Sequence, residues 1–96
     1  DIKIDLNMEE YLKIINDKDE DGATPLMWAA FKGNYDIIDE IIKAGADWNA
    51  KDDNTGDDFL DYMNIYSKIY VEVIIKKYPE KYKVYLLKKD TEKYNL

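Results

Sequence analysis

The side chains with chemistry to offer in this sequence are mainly carboxylates. Asp17, Asp19 and Asp21 alternate ahead of Gly22, which is how a helix–loop–helix calcium site begins. The rest of such a loop is missing. Its twelfth position, where a bidentate glutamate would close the coordination shell, is Trp28, and Pro25 falls where the backbone should be coordinating. The segment therefore reads as a turn. A second group, Asp52, Asp53, Asn54, Asp57 and Asp58, surrounds the turn residue Gly56 without a complete ligand spacing, so no metal and no cofactor are expected. The chain has neither histidine nor cysteine. Nucleophilic catalysis would fall to Ser67 or a threonine, and neither stands in an activating motif. A carboxylate pair could run acid–base chemistry, but 96 residues are few for enclosing a substrate cleft, and there is no glycine-rich phosphate loop. The expectation is a protein that binds and does not catalyse.

Composition narrows what it would bind. Apolar residues make up 46% of the chain, enough for one modest core in a single domain. All 14 cationic side chains are lysine, and the excess of lysine, isoleucine, asparagine and tyrosine hints at an AT-rich coding source. The net charge of −7 is unevenly spread: residues 1–64 carry −11 and residues 65–96 carry +4. Such an acidic body would repel phosphate, which argues against nucleic acid. It would steer a partner protein with a basic surface, or it serves only to keep the domain dissolved. No apolar run approaches the roughly 20 residues of a membrane-spanning helix, so no membrane partner is expected and the cytoplasm is the default location.

The elements that must position these residues are short helices. Residues 6–16 open with Asn7 as cap, Glu10 placed for a capping box, and Leu6 and Tyr11 placed for a hydrophobic staple. Met8, Tyr11, Leu12 and Ile15 form one apolar stripe. Thr24 caps the next helix, with Pro25 at its first position and Ala29-Ala30 as a small face on which a neighbour can lie close. Gly33-Asn34 ends it. Residues 35–44 follow with Ile37, Ile38, Ile41 and Ile42 on one side, Asp36 in the first turn, and Gly45 as the left-handed stop. Two short helices so tightly joined make an antiparallel pair, and such a pair cannot bury both faces alone.

The run G-x-T-P-L-x-x-A-A-x-x-G-x-x-x-I-I-x-x-I-I-x-x-G-A-D-x-N-A, from Gly22 to Ala50, is similar to the ankyrin repeat of about 33 residues. Gly22, Thr24, Pro25, Leu26, Ala29, Ala30, Gly33, Gly45, Ala46, Asp47, Asn49 and Ala50 match the family pattern. Two residues depart from it. Met27 replaces the usual histidine and with it a hydrogen-bonded link between loops. Trp48 replaces a small aliphatic residue. The resemblance implies an all-α fold, a short ankyrin-repeat solenoid of helix-turn-helix units. Residues 1–18 would be an N-terminal capping helix, 19–51 the full repeat, 52–78 a degenerate repeat, and 79–96 a C-terminal capping helix and tail.

The spacing agrees. Gly56 follows Gly22 by 34 residues, and Ile74-Ile75 follows Ile41-Ile42 by 33. Phe59, Leu60 and Met63 would line the first helix of the degenerate repeat, and Ile69, Val71, Ile74 and Ile75 the second. Pro79 then starts a last helix over residues 80–88, with Tyr82, Tyr85, Leu86 and the Lys89 stem on one side, and residues 90–96 frayed. A basic-aromatic strip for RNA or a membrane surface is the weaker reading of that segment.

Proteins resembling this family bind other proteins through hairpin tips and the exposed face of the inner helices. Carried onto this chain, the contact positions are Glu20, Asp21, Ala23, Phe31, Lys32 and Lys51, with Asp53 and Asn54 in a register that shifts near Gly56. Trp28 and Tyr62 lie beside them. Trp48 is expected to pack under neighbouring helices; Trp28 is open to either fate. Three functions follow: a protein–protein interaction module, a small acidic inhibitor or immunity protein masking a basic surface, or an oligomerising structural module, with the chain itself a monomer or small homo-oligomer.

Overall fold

Each helix of the repeat begins at a side chain that satisfies its free amides. In the computed structural model, which describes residues 8–94, Thr24 Oγ1 accepts the Met27 amide at 3.3 Å and Met27 Sδ accepts the Thr24 amide at 3.4 Å. The thioether closes a capping box, and α2 runs Pro25–Lys32 from it. Met27 therefore still serves as a local acceptor, although the family's histidine is gone. Gly33, at φ 68°, ends α2, and Asn34 Oδ1 accepts the Ile37 amide at 3.2 Å to open α3, Tyr35–Lys43. Asp58 and Asp61 trade side chains and amides at 3.0 and 2.9 Å to start α4, Phe59–Tyr66. Asp58, taken from the sequence as one carboxylate of a cluster, is a helix cap.

The described residues are all helical or loop, with α1 (Met8–Asn16) before the repeat and α5 (Val71–Lys77) and α6 (Pro79–Tyr94) after it. A short 3-10 turn, Lys68–Tyr70, leads into α5. α2 packs against both α4 and α3, while α1 lies against α2 and α6 against α5. The expected cap and staple at Asn7 and Leu6 lie outside the described residues.

One core joins the units. Leu26, Ala30, Ile38, Ile42, Phe59, Met63 and Ile74 are buried to within 1% of complete. Deleting any of the larger of these side chains would cost about 2–5 kcal/mol, a large share of the 5–15 typical of a whole domain. Trp48 is 4% exposed and meets Phe59 and Tyr85 with ring centroids 5.3 and 6.3 Å away. Its buried Nε1 has no hydrogen-bond partner. The orphaned donor costs about 1–3 kcal/mol. Burying an aromatic side chain of about 150–250 Å² returns roughly 4–6, so packing wins.

Buried carboxylates tie the outer layers together. Asp39 in α3 receives Lys77 Nζ at 2.9 Å, Lys43 Nζ at 3.1 Å and the Tyr78 hydroxyl. These donors, Tyr78 first, hold its carboxyl down at about 2. Asp58 receives the Tyr85 hydroxyl at 2.8 Å and Lys89 Nζ at 3.3 Å, which docks α6 on the start of α4. Burial is the main cause that pushes the Tyr85 hydroxyl up to about 12. Ser67 Oγ donates to the Ala30 carbonyl at 3.0 Å, and Asn49 Nδ2 to the Tyr85 carbonyl at 3.0 Å.

Successive loops touch through backbone. Asp53 N–H donates to the Gly22 carbonyl at 3.1 Å, and Asn54 Nδ2 to the Asp21 carbonyl at 2.5 Å. A Cβ on Gly22 would lie 2.6 Å from Asp53 Cβ, and its φ is 82°, so only glycine fits. At the other end, the Asp47 amide donates to Asn16 Oδ1 at 2.7 Å, fastening α1 to the repeat's closing turn.

Several pattern-based expectations change. Ile69 is 78% exposed and sits in the 3-10 turn ahead of α5; Ile74 alone of that set is fully buried, with Val71 and Ile75 half-buried. Leu86 is exposed, and Tyr85 with half-buried Tyr82 forms the inner side of α6. That helix continues to Tyr94 where fraying was expected from residue 90; residues 95 and 96 lie outside the description. In α1, Leu12 and Ile15 are half-buried but Tyr11 is exposed, so the stripe is only partly used.

Candidate protein-binding groove

α2 and α4 lie side by side, and their outward faces carry a row of aromatic rings. Trp28 meets Phe31 edge-on at 5.6 Å between centroids, Phe31 meets Tyr66 edge-on at 4.7 Å, and Tyr66 meets Tyr62 at 5.9 Å. Trp28, Phe31 and Tyr66 are 40, 41 and 50% exposed, and Tyr62 is half-buried. The row arises because i,i+3 (Trp28, Phe31) and i,i+4 (Tyr62, Tyr66) neighbours share a helix face. Only the packing of α2 on α4 brings the two pairs together.

Two acidic turns border the row. Asp19 Oδ1 accepts the amides of Asp21 and Ala23 at 2.9 and 3.0 Å, and its other oxygen accepts the Trp28 indole N–H. The Ala23 amide is the foremost cause, followed by the indole, of a carboxyl held below its ordinary range. Asp52 is buried and accepts the Tyr62 hydroxyl at 2.6 Å and the amides of Asn54 and Thr55 at 2.7 and 3.2 Å. The Tyr62 hydroxyl leads in lowering the Asp52 carboxyl, and the same bond pushes Tyr62 up to about 12. Of the aspartates in the calcium-like spacing, Asp19 thus accepts amides and the indole, while Asp52, from the second acidic group, accepts amides and the hydroxyl.

Asp21, Ala23, Trp28, Phe31, Asn54 and Tyr62, all read as contact positions from the sequence, line one cavity of about 260 Å³. Ala23 is 5% exposed and forms its floor, so a position expected to vary at a contact offers almost no side-chain surface. Glu20, Lys32, Lys51 and Asp53 are exposed around the groove and do not line the cavity. Lys32 Nζ stands 5.7 Å from the Phe31 ring centre, and Asp53 pairs with Lys18 Nζ at 2.7 Å. Sequence reasoning missed Tyr66, Asp52 and Thr55. The i,i+4 spacing of Tyr62 and Tyr66 was the available signal for the first. A larger hollow of about 390 Å³ lies between the closing turn of the repeat and α6, but the rings lining it, Trp48 and Tyr85, are buried at 4% exposure. Among the described residues no group of three or more carboxylates is arranged to hold a metal ion, and no helix is long and apolar enough to cross a membrane.

Residues 21–53 match the family model described as Ankyrin repeat. The chain carries an ankyrin repeat at those positions, and the all-helical architecture of the described residues is consistent with a short ankyrin-repeat fold. It is similar over 38 residues, at 45% identity, to Ankyrin repeat family A protein 2 of Homo sapiens, covering 40% of this chain and 12% of that protein. It is also similar over 36 residues, at 50% identity, to Ankyrin repeat domain-containing protein 49 of Homo sapiens, covering 38% of this chain and 15% of that one. Palmitoyltransferase akr1 of Aspergillus oryzae is 50% identical over 36 residues, which is 5% of its length. The chain thus spans a small part of each relative, and the aligned stretch is the size of one repeat. No solved structure matches. Ankyrin repeats are in general protein–protein interaction modules and not catalytic folds.

Proposed function

We propose that this chain is a protein–protein interaction module that takes a basic segment of a partner along the groove between the inner helices, α2 and α4, and the acidic turns at their starts. One observation carries the reading. Trp28, Phe31 and Tyr66 remain exposed in a continuous row beside Asp19, Asp21 and Asp52, although the same chain buries Trp48, Phe59 and Tyr85. Aromatic anchors near the centre of a contact commonly contribute 2 kcal/mol or more each, and surrounding charges set orientation and on-rate. Masking of a basic active site, as by an inhibitor or immunity protein, is a narrower form of the same contact, separated by assaying the partner's activity.

The test uses the immobilised chain, extract from its source, and a Phe31→Ala variant with unchanged melting temperature. A partner should be retained at about 0.15 M salt, released progressively toward about 0.5 M, and lost on Phe31→Ala, with binding weakened roughly tenfold or more in a titration of the purified pair. Equal retention by the Phe31→Ala variant and by a Glu20→Lys, Asp21→Lys, Asp53→Lys variant would place the contact elsewhere.

A further inference from the structure

We propose that the cavity in this groove seats one lysine or arginine side chain of the partner, its cationic head against the Trp28, Phe31 and Tyr66 rings and drawn by the charge of Asp52 and Asp19. The inference rests on the reading of the groove as the partner's site and names what that site recognises.

Size is the first argument. Small-molecule sites usually enclose about 300–1,000 Å³. At about 260 Å³ this cavity falls below that range and suits a single long side chain. Its walls are the second argument. Ring faces attract a cation through their quadrupole, most strongly for tryptophan, within about 6 Å of the centroid. The Phe31 ring already draws a cation of this chain, Lys32 Nζ at 5.7 Å from its centre, which an incoming cation displaces from that face.

Charge is the third argument, and it separates a cation from an apolar occupant. The two other aspartates that are buried among the described residues, Asp39 and Asp58, have lysine partners: Asp39 has Lys43 and Lys77, and Asp58 has Lys89. The hydrogen bonds that hold Asp19 and Asp52 come from neutral donors: backbone amides, the Trp28 indole and the Tyr62 hydroxyl. Both carboxyls are held in the charged form by these donors. Buried Asp52 has little water left to lose, so an apolar occupant gains nothing from its charge, whereas an ammonium or guanidinium is attracted by it across the groove.

Blocked amino-acid amides make suitable probes, since they carry one side chain and no partner fold. The indole proton of Trp28, bonded to Asp19, is the reporter, and that of buried Trp48 is the internal reference. The two NMR signals are told apart with Trp28→Phe. N-acetyl-lysine methylamide and N-acetyl-arginine methylamide should move the Trp28 signal saturably in the millimolar range, while N-acetyl-norleucine methylamide should not. Asp52→Asn and, independently, Tyr66→Leu should each weaken the cationic probes about fivefold. Tyr66 is half exposed, so its replacement leaves the core intact. An equal response to norleucine would mean a merely apolar hollow, and no response to any probe up to about 0.1 M would remove the seat. If the extract experiment still captured a Phe31-dependent partner, that failure would strike this cation seat and leave the groove itself standing.

Discussion

Asp39 illustrates how much one residue can carry. It lies on an amphipathic helix, yet it is 7% exposed and gathers two lysines and a tyrosine from two places in the chain, Lys43 on its own helix and the neighbours Lys77 and Tyr78. Its folded carboxyl titrates at about 2, below its ordinary 3.8. A depressed carboxyl stabilises the fold above its unfolded value, and that contribution is lost as pH falls from about 4 toward about 2. Asp39→Asn should therefore lower stability at neutral pH by about 1–3 kcal/mol. The difference from the parent chain in urea titrations should shrink below pH 4. A constant difference down to pH 2 would mean that the charge of Asp39 contributes nothing.

Among the elements, α6 is the one whose attachment depends most visibly on side chains far away in sequence. Tyr85 reaches Trp48 in the core and Asp58 through its hydroxyl, and Lys89 adds an ion pair to the same carboxylate. Asp58 also caps α4, so it serves two helices. Asp58→Ala should cost about 2–4 kcal/mol, more than the roughly 0.5–2 of a lost cap alone, because the Tyr85 hydroxyl loses its buried acceptor. Amide hydrogen exchange should accelerate in α6 as well as in the first turn of α4. Acceleration confined to α4 would show that α6 is held by Tyr85 packing without Asp58.

At the scale of the whole molecule, the repeat is not free-standing. Its second helix pair and both flanking helices complete a single core, since Ile74 and Tyr85 belong to the same buried cluster as Leu26 and Ile38. A chain ending at Tyr78 would expose Trp48 and Phe59 and lose the Asp58 anchor. It should show no cooperative near-UV transition in urea, and a smaller urea dependence than the full chain. Cooperative unfolding of that shortened chain would show α6 to be an accessory and not a cap. The charge imbalance also belongs to this scale. An acidic body steers a basic partner whatever the local contacts, which is why the salt dependence expected of binding should persist in variants that only trim the aromatic row.

The repeat was legible because its signals are local. Thr24-Pro25-Leu26, Ala29-Ala30, Gly33 and Gly45 each act through backbone angles, caps or size at their own positions. Of the four isoleucines expected on one side of α3, Ile38 and Ile42 are buried and Ile41 half-buried, but Ile37 is exposed, because it lies at the edge of that stripe. Buried Trp48 also followed from sequence, since a large ring in place of a small residue needs a covered place. Ile69 failed as a core residue because apolar periodicity presumes an unbroken helix, and the 3-10 turn at Lys68–Tyr70 rotates it out to 78% exposure. Much of the candidate groove was readable: Asp21, Ala23, Trp28, Phe31, Asn54 and Tyr62 were expected from their positions. Tyr66, Asp52 and the role of Asp19 were not, because each depends on which helix lies beside which and on where a neighbouring loop's donors point. Sequence alone determined the repeat, its caps and its acidic charge, all of which are set within a few residues. Tertiary structure decided which aromatics stay in water and which acids gain a lysine, because exposure and pairing are properties of neighbours that the linear order does not supply.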